Sequence, residues 1–333
     1  MIDFIFWSLV FIVGLIVLVK SADFFIEGAE MISLFFKISP FIIGVTIVAI
    51  GTSFPELASS VAAVLKGTTE IVVANAAGSN IANILLVVGF SAIAAKCLSI
   101  KRSLIDLDAP LLAISTLLFL VIAWDRQVVF WEGLLLLAAF LIYLLYTVFQ
   151  KKHEEEVEKK STLPSRVERR EKETKKVLGA ERPKKLGFKV FAYLIGGGLG
   201  LALSANYAIE ALVNLSKIVN IPASLISATM LAISTSLPEL IVSIKAALKK
   251  KYEIALGNIF GSSVFNLLIV IGIPALIRPL VIDEPTFFVA LPFLVLATFV
   301  FIISGISKKI HIWEGLMYLL VYILFIINLF KFF

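Results

Sequence analysis

Two short polar motifs, each present in two copies, interrupt otherwise apolar stretches of the 333-residue chain. The first motif is GTSFPE at 51–56, and its second copy is STSLPE at 234–239. The second motif is GSNIAN at 78–83, and its second copy is GSSVFN at 261–266. Both pairs of copies are 183 positions apart, and a constant offset over that distance indicates an internal duplication.

Glu56 and Glu239 are the only acidic residues that fall well inside the predicted membrane spans. A charged side chain in hydrocarbon is costly, so an acid at this depth predicts a functional site. On a helix, Thr52 and Ser53 share a face with Glu56 because they precede it by four and three residues. Pro55 removes a backbone hydrogen bond and predicts a broken helix with freed carbonyl oxygens. Broken helices at membrane depth line cavities or are buried in protein.

The candidate ligands in the four motif copies comprise two carboxylates, two amides, six hydroxyls and several freed carbonyls. All are hard oxygen donors, which favour hard cations such as Ca²⁺ or Na⁺. One Ca²⁺ would neutralise the two carboxylates, and so would two Na⁺ or two protons. Competition for the same carboxylates is a physical basis for exchange. The candidate side chains are Glu56, Glu239, Asn83, Asn266, Thr52, Ser53, Thr235, Ser236, Ser79 and Ser262.

The composition indicates which elements carry these residues. The chain is 60% hydrophobic with a mean hydropathy of +1.02, whereas soluble domains are about 45–50% apolar. Apolar runs of about 20 residues have the length that crosses a bilayer, so the predicted fold is an all-α polytopic membrane protein. The ten predicted spans are roughly 2–20, 38–65, 71–95, 107–124, 129–149, 190–215, 222–247, 254–276, 287–304 and 312–330.

A charged segment separates two five-helix repeats, which are predicted over 1–150 and 190–333. The segment, 151–189, holds 14 Lys and Arg residues and 8 Glu residues, which predicts a partly helical linker, with a regulatory role as the alternative. Because five is odd, the second repeat must have inverted topology. Placing the linker in the cytoplasm puts 25 of the Lys and Arg residues inside and 5 outside, as the positive-inside rule favours. Both termini are then extracytoplasmic.

Other function classes find little support in the sequence. Cys97 is the only cysteine, which excludes an intramolecular disulfide and a thiolate metal site. An intramembrane enzyme would need a nucleophile with a base, or metal ligands, and no membrane-embedded His or Cys constellation exists. A channel remains an alternative, but inverted repeats favour alternating access. We expect no cofactor and no nucleic-acid partner, and a chain in the lipid bilayer that functions as a monomer.

At these motifs the chain resembles the calcium/cation antiporter superfamily, in its prokaryotic sodium/calcium exchanger branch. The resemblance covers nearly the whole chain and implies a cation site at the membrane midplane. It implies sliding of the first helices of the two repeats, near 2–24 and 190–215, across the other eight. It also implies calcium binding by Glu56, Glu239, Thr52 and Thr235. The flanking sodium ligands would be Ser53, Ser236, Ser79, Ser262 and the carbonyls of Ala49 and Ala232, and Asn83 and Asn266 would complete the ring.

The sequence departs from the family pattern at three positions in the second repeat. Asn266 stands where several sodium/calcium exchangers carry Asp, so this chain has one anionic ligand fewer. Ser234 replaces a usual Gly, and Ser263 replaces a usual Asn. The hypothesis from the sequence is a secondary antiporter in the cell membrane that exchanges Ca²⁺ for Na⁺. The alternative is an antiporter of the same fold that couples Ca²⁺, or another divalent cation, to H⁺.

Overall fold

The computed structural model describes residues 2–36, 38–99, 109–161, 187–218 and 236–331, which are predominantly helical. Eight of the described helices are long and apolar enough to cross a bilayer, which confirms a helical membrane protein. The helices are α1 (Ile2–Phe36), α2 (Pro40–Lys66), α3 (Glu70–Ala95), α4 (Ala109–Ile122), α5 (Phe130–Ser161), α6 (Phe188–Ile218), α7 (Leu237–Leu248), α8 (Tyr252–Ile277), α9 (Thr286–Ile306) and α10 (Ile312–Phe330).

The two helices outside that group of eight match the predicted spans only in part. Helix α4 corresponds to predicted span 107–124 and, with a 3₁₀ turn, forms a shorter apolar helix over Ala109–Asp125. Helix α7 is the described end of predicted span 222–247, because residues 219–235 lie outside the described part. The prediction that the first helix ends near residue 20 is wrong, since α1 continues to Phe36.

The extension of α1 carries acidic side chains that pair with lysines at the end of α7. Asp23 lies 3.0 Å from Lys245 and 2.8 Å from Lys249, measured between carboxylate oxygen and Nζ. Glu30 forms an ion pair with Lys251, and both side chains are largely buried. The acids are seven residues apart and therefore share one helical face. Partners in another helix allow α1 to continue past the point where its apolar run stops.

Helices α3 and α8 form the centre of the molecule, and α1, α5, α6 and α10 lie at its edge. In the apolar stretches of α3 and α8, 83% of the residues are buried, against 17% for α1, 22% for α5 and α10, and 28% for α6. Helices α1 and α6 pack mainly against each other through small residues. A Cβ on Gly197 would lie 2.8 Å from the backbone nitrogen of Phe25. Such small residues permit close approach of membrane helices.

Two short antiparallel sheets connect loops at opposite ends of α9. Strand β1 (Cys97–Ser99) pairs with β4 (Lys309–His311), and β2 (Gln127–Val128) pairs with β3 (Leu280–Val281). Strand β3 precedes α9 and β4 follows it, so the sheets lie at its two ends. The start of β3 is 183 positions after that of β1, and the start of β4 is 182 after that of β2. The second sheet therefore repeats the pairing of the first.

Candidate cation-binding site

The first copy of the GTSFPE motif lies within α2, which continues through Pro55. The predicted helix break at Pro55 is therefore wrong. The irregular part of α2 is instead a π-helical segment at Gly44–Val48, directly before Ala49. Such segments occur frequently at functional sites because they shift the backbone hydrogen-bond pattern. The Ala49 carbonyl, a predicted ligand, accepts hydrogen bonds from Thr52 Oγ1 at 3.3 Å and Ser262 Oγ at 3.5 Å.

The second copy is described from Ser236 onwards. Ser236 precedes α7, and Pro238 lies in the first turn of that helix. Proline is tolerated there because the first backbone N–H groups of a helix have no intrahelical partner. Two predicted ligands, Ala232 and Thr235, and the variant position Ser234 lie outside the described residues.

The GSNIAN motif and its copy lie in the central helices α3 and α8. Both helices change to π-helical geometry at the last asparagine of the motif, in segments Ala82–Val87 and Asn266–Val270. The copy in α8 packs closely against α2 at Gly261, because a Cβ on this residue would lie 2.3 Å from the Val45 carbonyl. A Cβ on Gly78, the equivalent glycine of the first copy, would meet no described atom within 4 Å, so close packing requires only the second of the two glycines.

The structure buries every predicted site side chain that it describes. Glu56, Glu239, Asn83 and Asn266 all have 0% exposure. No ion pair among the described residues involves either glutamate. Two carboxylates are thus buried in the protein interior without a cationic side chain as partner, which is an unfavourable arrangement unless another positive charge binds. The other buried side chains are Thr52, Ser53, Ser79, Ser236 and Ser262.

Hydrogen bonds between the two halves of the chain bring these residues together. Ser53 Oγ donates to Glu239 Oε1 at 2.9 Å. Ser236 Oγ donates to the Ser79 carbonyl at 3.4 Å. The Thr52 and Ser262 hydroxyls lie 3.4 Å apart. Side chains separated by more than 150 positions in the sequence therefore form one cluster.

Several buried oxygens of this cluster have no hydrogen-bond partner among the described residues. They include both carboxylate oxygens of Glu56 and the Oε2 of Glu239. The amide groups of Asn83 and Asn266 are also without partners there. Buried polar groups are normally hydrogen-bonded, so these atoms indicate a binding function. Carboxylate and amide oxygens fit Ca²⁺ or Na⁺ as transported substrates.

Sequence reasoning missed four buried polar residues that border the cluster. Asn258 Nδ2 donates to Ser243 Oγ at 3.0 Å, and Asn75 Nδ2 donates to Ser60 Oγ at 3.3 Å. Asn75 and Ser60 are each 183 positions before Asn258 and Ser243, respectively. The same offset that identified the motifs could therefore have identified these pairs.

Comparisons with known proteins agree with this fold. A sequence model of the family described as sodium/calcium exchanger protein matches residues 6–149 and 189–331. The chain is 31% identical over 352 residues to the sodium/calcium exchanger MaX1 of Methanosarcina acetivorans, covering 97% of this chain and 98% of the relative. It is 36% identical over 277 residues to the putative antiporter CaxA of Alkalimonas amylolytica, covering 82% and 81%.

The structure is also similar to solved structures of the sodium-calcium exchanger NCX_Mj. One of these, from a crystal soaked with 100 mM Na⁺ and 10 mM Sr²⁺, gives a TM-score of 0.78 at 28% identity. The match covers 96% of this chain and 97% of the other. The helical membrane fold and the exchangers and antiporters that the chain resembles define a cation transporter rather than an enzyme. The chain belongs to the sodium/calcium exchanger family.

Proposed function

We propose that this protein is a secondary antiporter that exchanges Ca²⁺ for Na⁺ across the cell membrane by alternating access. The observation that carries the proposal is the pair of fully buried glutamates, Glu56 and Glu239, the second of which accepts a hydrogen bond from Ser53 on the helix that carries Glu56. Their combined charge of −2 is neutralised equally by one Ca²⁺ or by two Na⁺. Exchange follows because either ion set makes the buried site neutral, whereas an empty charged site is costly to move through the membrane.

The proposed calcium ligands are Glu56, Glu239, Thr52 and Thr235. Further oxygens for sodium come from the motif serines, the last asparagine of GSNIAN and of its copy GSSVFN, and the carbonyls that precede GTSFPE and its copy STSLPE. These remaining proposed ligands are Ser53, Ser236, Ser79, Ser262, Asn83, Asn266, Ala49 and Ala232. Unpartnered oxygens on Glu56 and Glu239 support the assignment. Together with the neutral donors they can supply the roughly six to eight oxygens that Ca²⁺ prefers.

The proposed architecture is two inverted repeats, 1–150 and 190–333, joined by the linker 151–189. The two symmetry-related sheets support it, since they lie at opposite ends of α9 while each is the copy of the other. An inverted duplication requires equivalent elements to lie on opposite sides of the membrane. The linker is proposed to be cytoplasmic, with both termini outside. The packing of α1 and α6 mainly against each other supports their movement as a pair relative to the other helices.

One observation favours a second candidate, in which H⁺ replaces Na⁺ as the coupling ion. Asn266 is fully buried and neutral, so the described site contains two carboxylates for all its ions. Two protons would neutralise these carboxylates just as two Na⁺ ions would. This candidate keeps the same site and the same fold.

Calcium uptake into proteoliposomes tests the proposal and separates the two candidates. Vesicles containing purified protein are loaded with Na⁺ and diluted into Na⁺-free buffer with radioactive Ca²⁺, with pH and voltage clamped by ionophores. Uptake that requires the Na⁺ gradient and is lost in Glu56→Gln supports sodium/calcium exchange at this site. Uptake that follows an imposed pH gradient and ignores Na⁺ would refute sodium coupling and support the proton candidate.

A further inference from the structure

A chain of three buried polar side chains connects the two halves beside the cation site. Thr52 Oγ1 donates to Asn258 Oδ1 at 3.0 Å, and Asn258 Nδ2 donates to Ser243 Oγ at 3.0 Å. All three side chains have 0% exposure. Thr52 belongs to the first half of the chain, whereas Asn258 and Ser243 belong to the second. These hydrogen bonds therefore join the proposed ligand Thr52 to Asn258 and Ser243, which are not among the proposed ligands.

The direction of the first hydrogen bond determines what the Thr52 hydroxyl can do. A hydroxyl has one proton and two lone pairs, and a carbonyl oxygen such as Asn258 Oδ1 can only accept. The Thr52 proton is therefore directed towards α8, which leaves lone pairs of its oxygen for a cation. The competing acceptors are the Ala49 carbonyl at 3.3 Å and the Ser262 hydroxyl at 3.4 Å, both of them proposed ligands. Without Asn258, the proton would shift towards one of these oxygens and compete with cation binding there.

Ser243 fixes the other end of the Asn258 amide. It follows Glu239 by four residues on α7, so the two side chains lie on the same helical face. Asn258 thus spans from the helix that carries Glu239 to the threonine of the opposite half. Through one amide, the position of that helix is linked to the orientation of the Thr52 hydroxyl.

The other copy of the duplication shows the same arrangement as far as it is described. Asn75 Nδ2 donates to Ser60 Oγ at 3.3 Å, and Ser60 follows Glu56 by four residues. Asn75 Oδ1 has no hydrogen-bond partner among the described residues. The residue at the position equivalent to Thr52 is Thr235, which lies outside that part of the chain.

We propose that Asn258 is a positioning residue that orients a ligand threonine of the opposite half, Thr52. Its amide oxygen accepts the proton of Thr52, so that a lone pair of the hydroxyl faces the cation, and Asn258 itself does not bind the ion. The inference rests on the proposed function, because it assumes that Thr52 is a cation ligand.

A double-mutant cycle between Asn258 and Thr52 tests this role. Asn258→Ala is expected to raise the Ca²⁺ concentration for half-maximal exchange about tenfold, with a maximal rate within about twofold of wild type. In a Thr52→Val background the same substitution should change that concentration less than about twofold, because the hydroxyl that it orients is absent. Asn328→Ala on α10 is the matched control and should leave exchange unchanged.

A merely structural role gives a different result. It would lower the melting temperature of the purified protein and would reduce exchange equally in the Thr52→Val background, so additive effects would overturn the inference. If Asn258→Ala does not fold, Ser243→Ala cuts the same chain one bond further from Thr52. It is expected to raise the half-maximal Ca²⁺ concentration about threefold, again only when the Thr52 hydroxyl is present. An effect that persists in Thr52→Val would overturn the inference as well.

Failure of the inference can be distinguished from failure of the proposed function. Wild-type protein that exchanges Ca²⁺ and loses exchange in Glu56→Gln, but not in Asn258→Ala, contradicts the positioning role alone. If wild-type protein does not exchange Ca²⁺, the proposed function fails, and the cycle is measured instead by thermal stabilisation with Na⁺ and with Ca²⁺. Coupling between Asn258 and Thr52 in that measurement would support the positioning role, and stabilisation by neither ion would overturn both proposals.

Discussion

Glu239 provides the sharpest test of the proposed site, because one substitution removes charge and little else. Glu239→Gln keeps an oxygen that can accept the 2.9 Å hydrogen bond from Ser53 Oγ. The side chain keeps its shape in a fully buried position. The substitution therefore halves the anionic charge of the site while leaving the packing between the two halves unchanged.

The size of the effect follows from electrostatics. Two unit charges 4 Å apart attract by about 4 kcal/mol at an effective dielectric constant of about 20, so a divalent ion gains about 8 kcal/mol. When no ion is bound, the surrounding polar groups stabilise the Glu239 carboxylate and offset about half of this gain. We therefore expect the substitution to remove the other half. A loss of about 4 kcal/mol weakens Ca²⁺ binding about 1000-fold. Exchange should then be undetectable at Ca²⁺ concentrations that saturate the wild type.

Proteoliposome uptake of radioactive Ca²⁺ over a wide concentration range measures this effect, with size-exclusion elution as the test of folding. Ser53→Ala is the matched variant, since it removes the hydrogen bond and keeps the carboxylate, and it should weaken binding about tenfold. Glu284→Gln makes the same chemical change at an exposed ion pair with Arg126 and should have no effect. A folded Glu239→Gln protein with Ca²⁺ affinity within tenfold of wild type would refute the electrostatic reasoning.

Three further substitutions or deletions test other features. Deleting most of 155–180 should leave the exchange rate within about twofold of wild type, since no proposed ligand lies there. Loss of exchange by a folded deletion protein would reveal a function for the linker. Gly261→Ala should lower the melting temperature by several degrees, because the added Cβ would lie 2.3 Å from a carbonyl oxygen of α2. Gly196→Ala should leave the melting temperature unchanged, because its Cβ would have no described neighbour within 4 Å. Glu30→Gln should destabilise the fold by about 3 kcal/mol because it leaves Lys251 buried without its partner, and adding Lys251→Met should restore most of that loss in thermal unfolding. Equal melting temperatures of the single and double variants would contradict that account.

Helix ends were predictable where the sequence changes from apolar to polar and the polar side chains have no ion-pair partner in another helix. Helix α10 spans Ile312–Phe330, as predicted, because polar residues flank the apolar run Leu316–Ile327 at both ends. Helix α1 continues past its predicted end because its acids meet lysines of α7 and of the segment after it. Those partners are more than 200 positions away in the sequence, so local hydropathy carries no information about them.

The local geometry of the site was less predictable than its composition. Pro55 indicated a broken helix, yet α2 continues through it, and the irregular backbone is the π-helical segment at Gly44–Val48. A proline removes one hydrogen bond, but surrounding helices can stabilise the remaining turns. Asn75 and Asn258 were missed because a single buried amide, unlike a buried acid, is not costly enough to be conspicuous in an apolar sequence.

The sequence by itself determined the class of the protein and most of its chemistry. Three features can be identified without coordinates: apolar runs long enough to span a bilayer, a duplication with a constant offset, and two acids inside predicted spans. The first two are properties of composition and spacing, and the third is visible because a charge in hydrocarbon has a high free-energy cost. The tertiary structure decided how the two halves meet. The Ser53–Glu239 hydrogen bond and the chain from Thr52 through Asn258 to Ser243 join residues about 190 to 210 positions apart. Such contacts depend on how helices pack in three dimensions, which neither hydropathy nor motif spacing specifies.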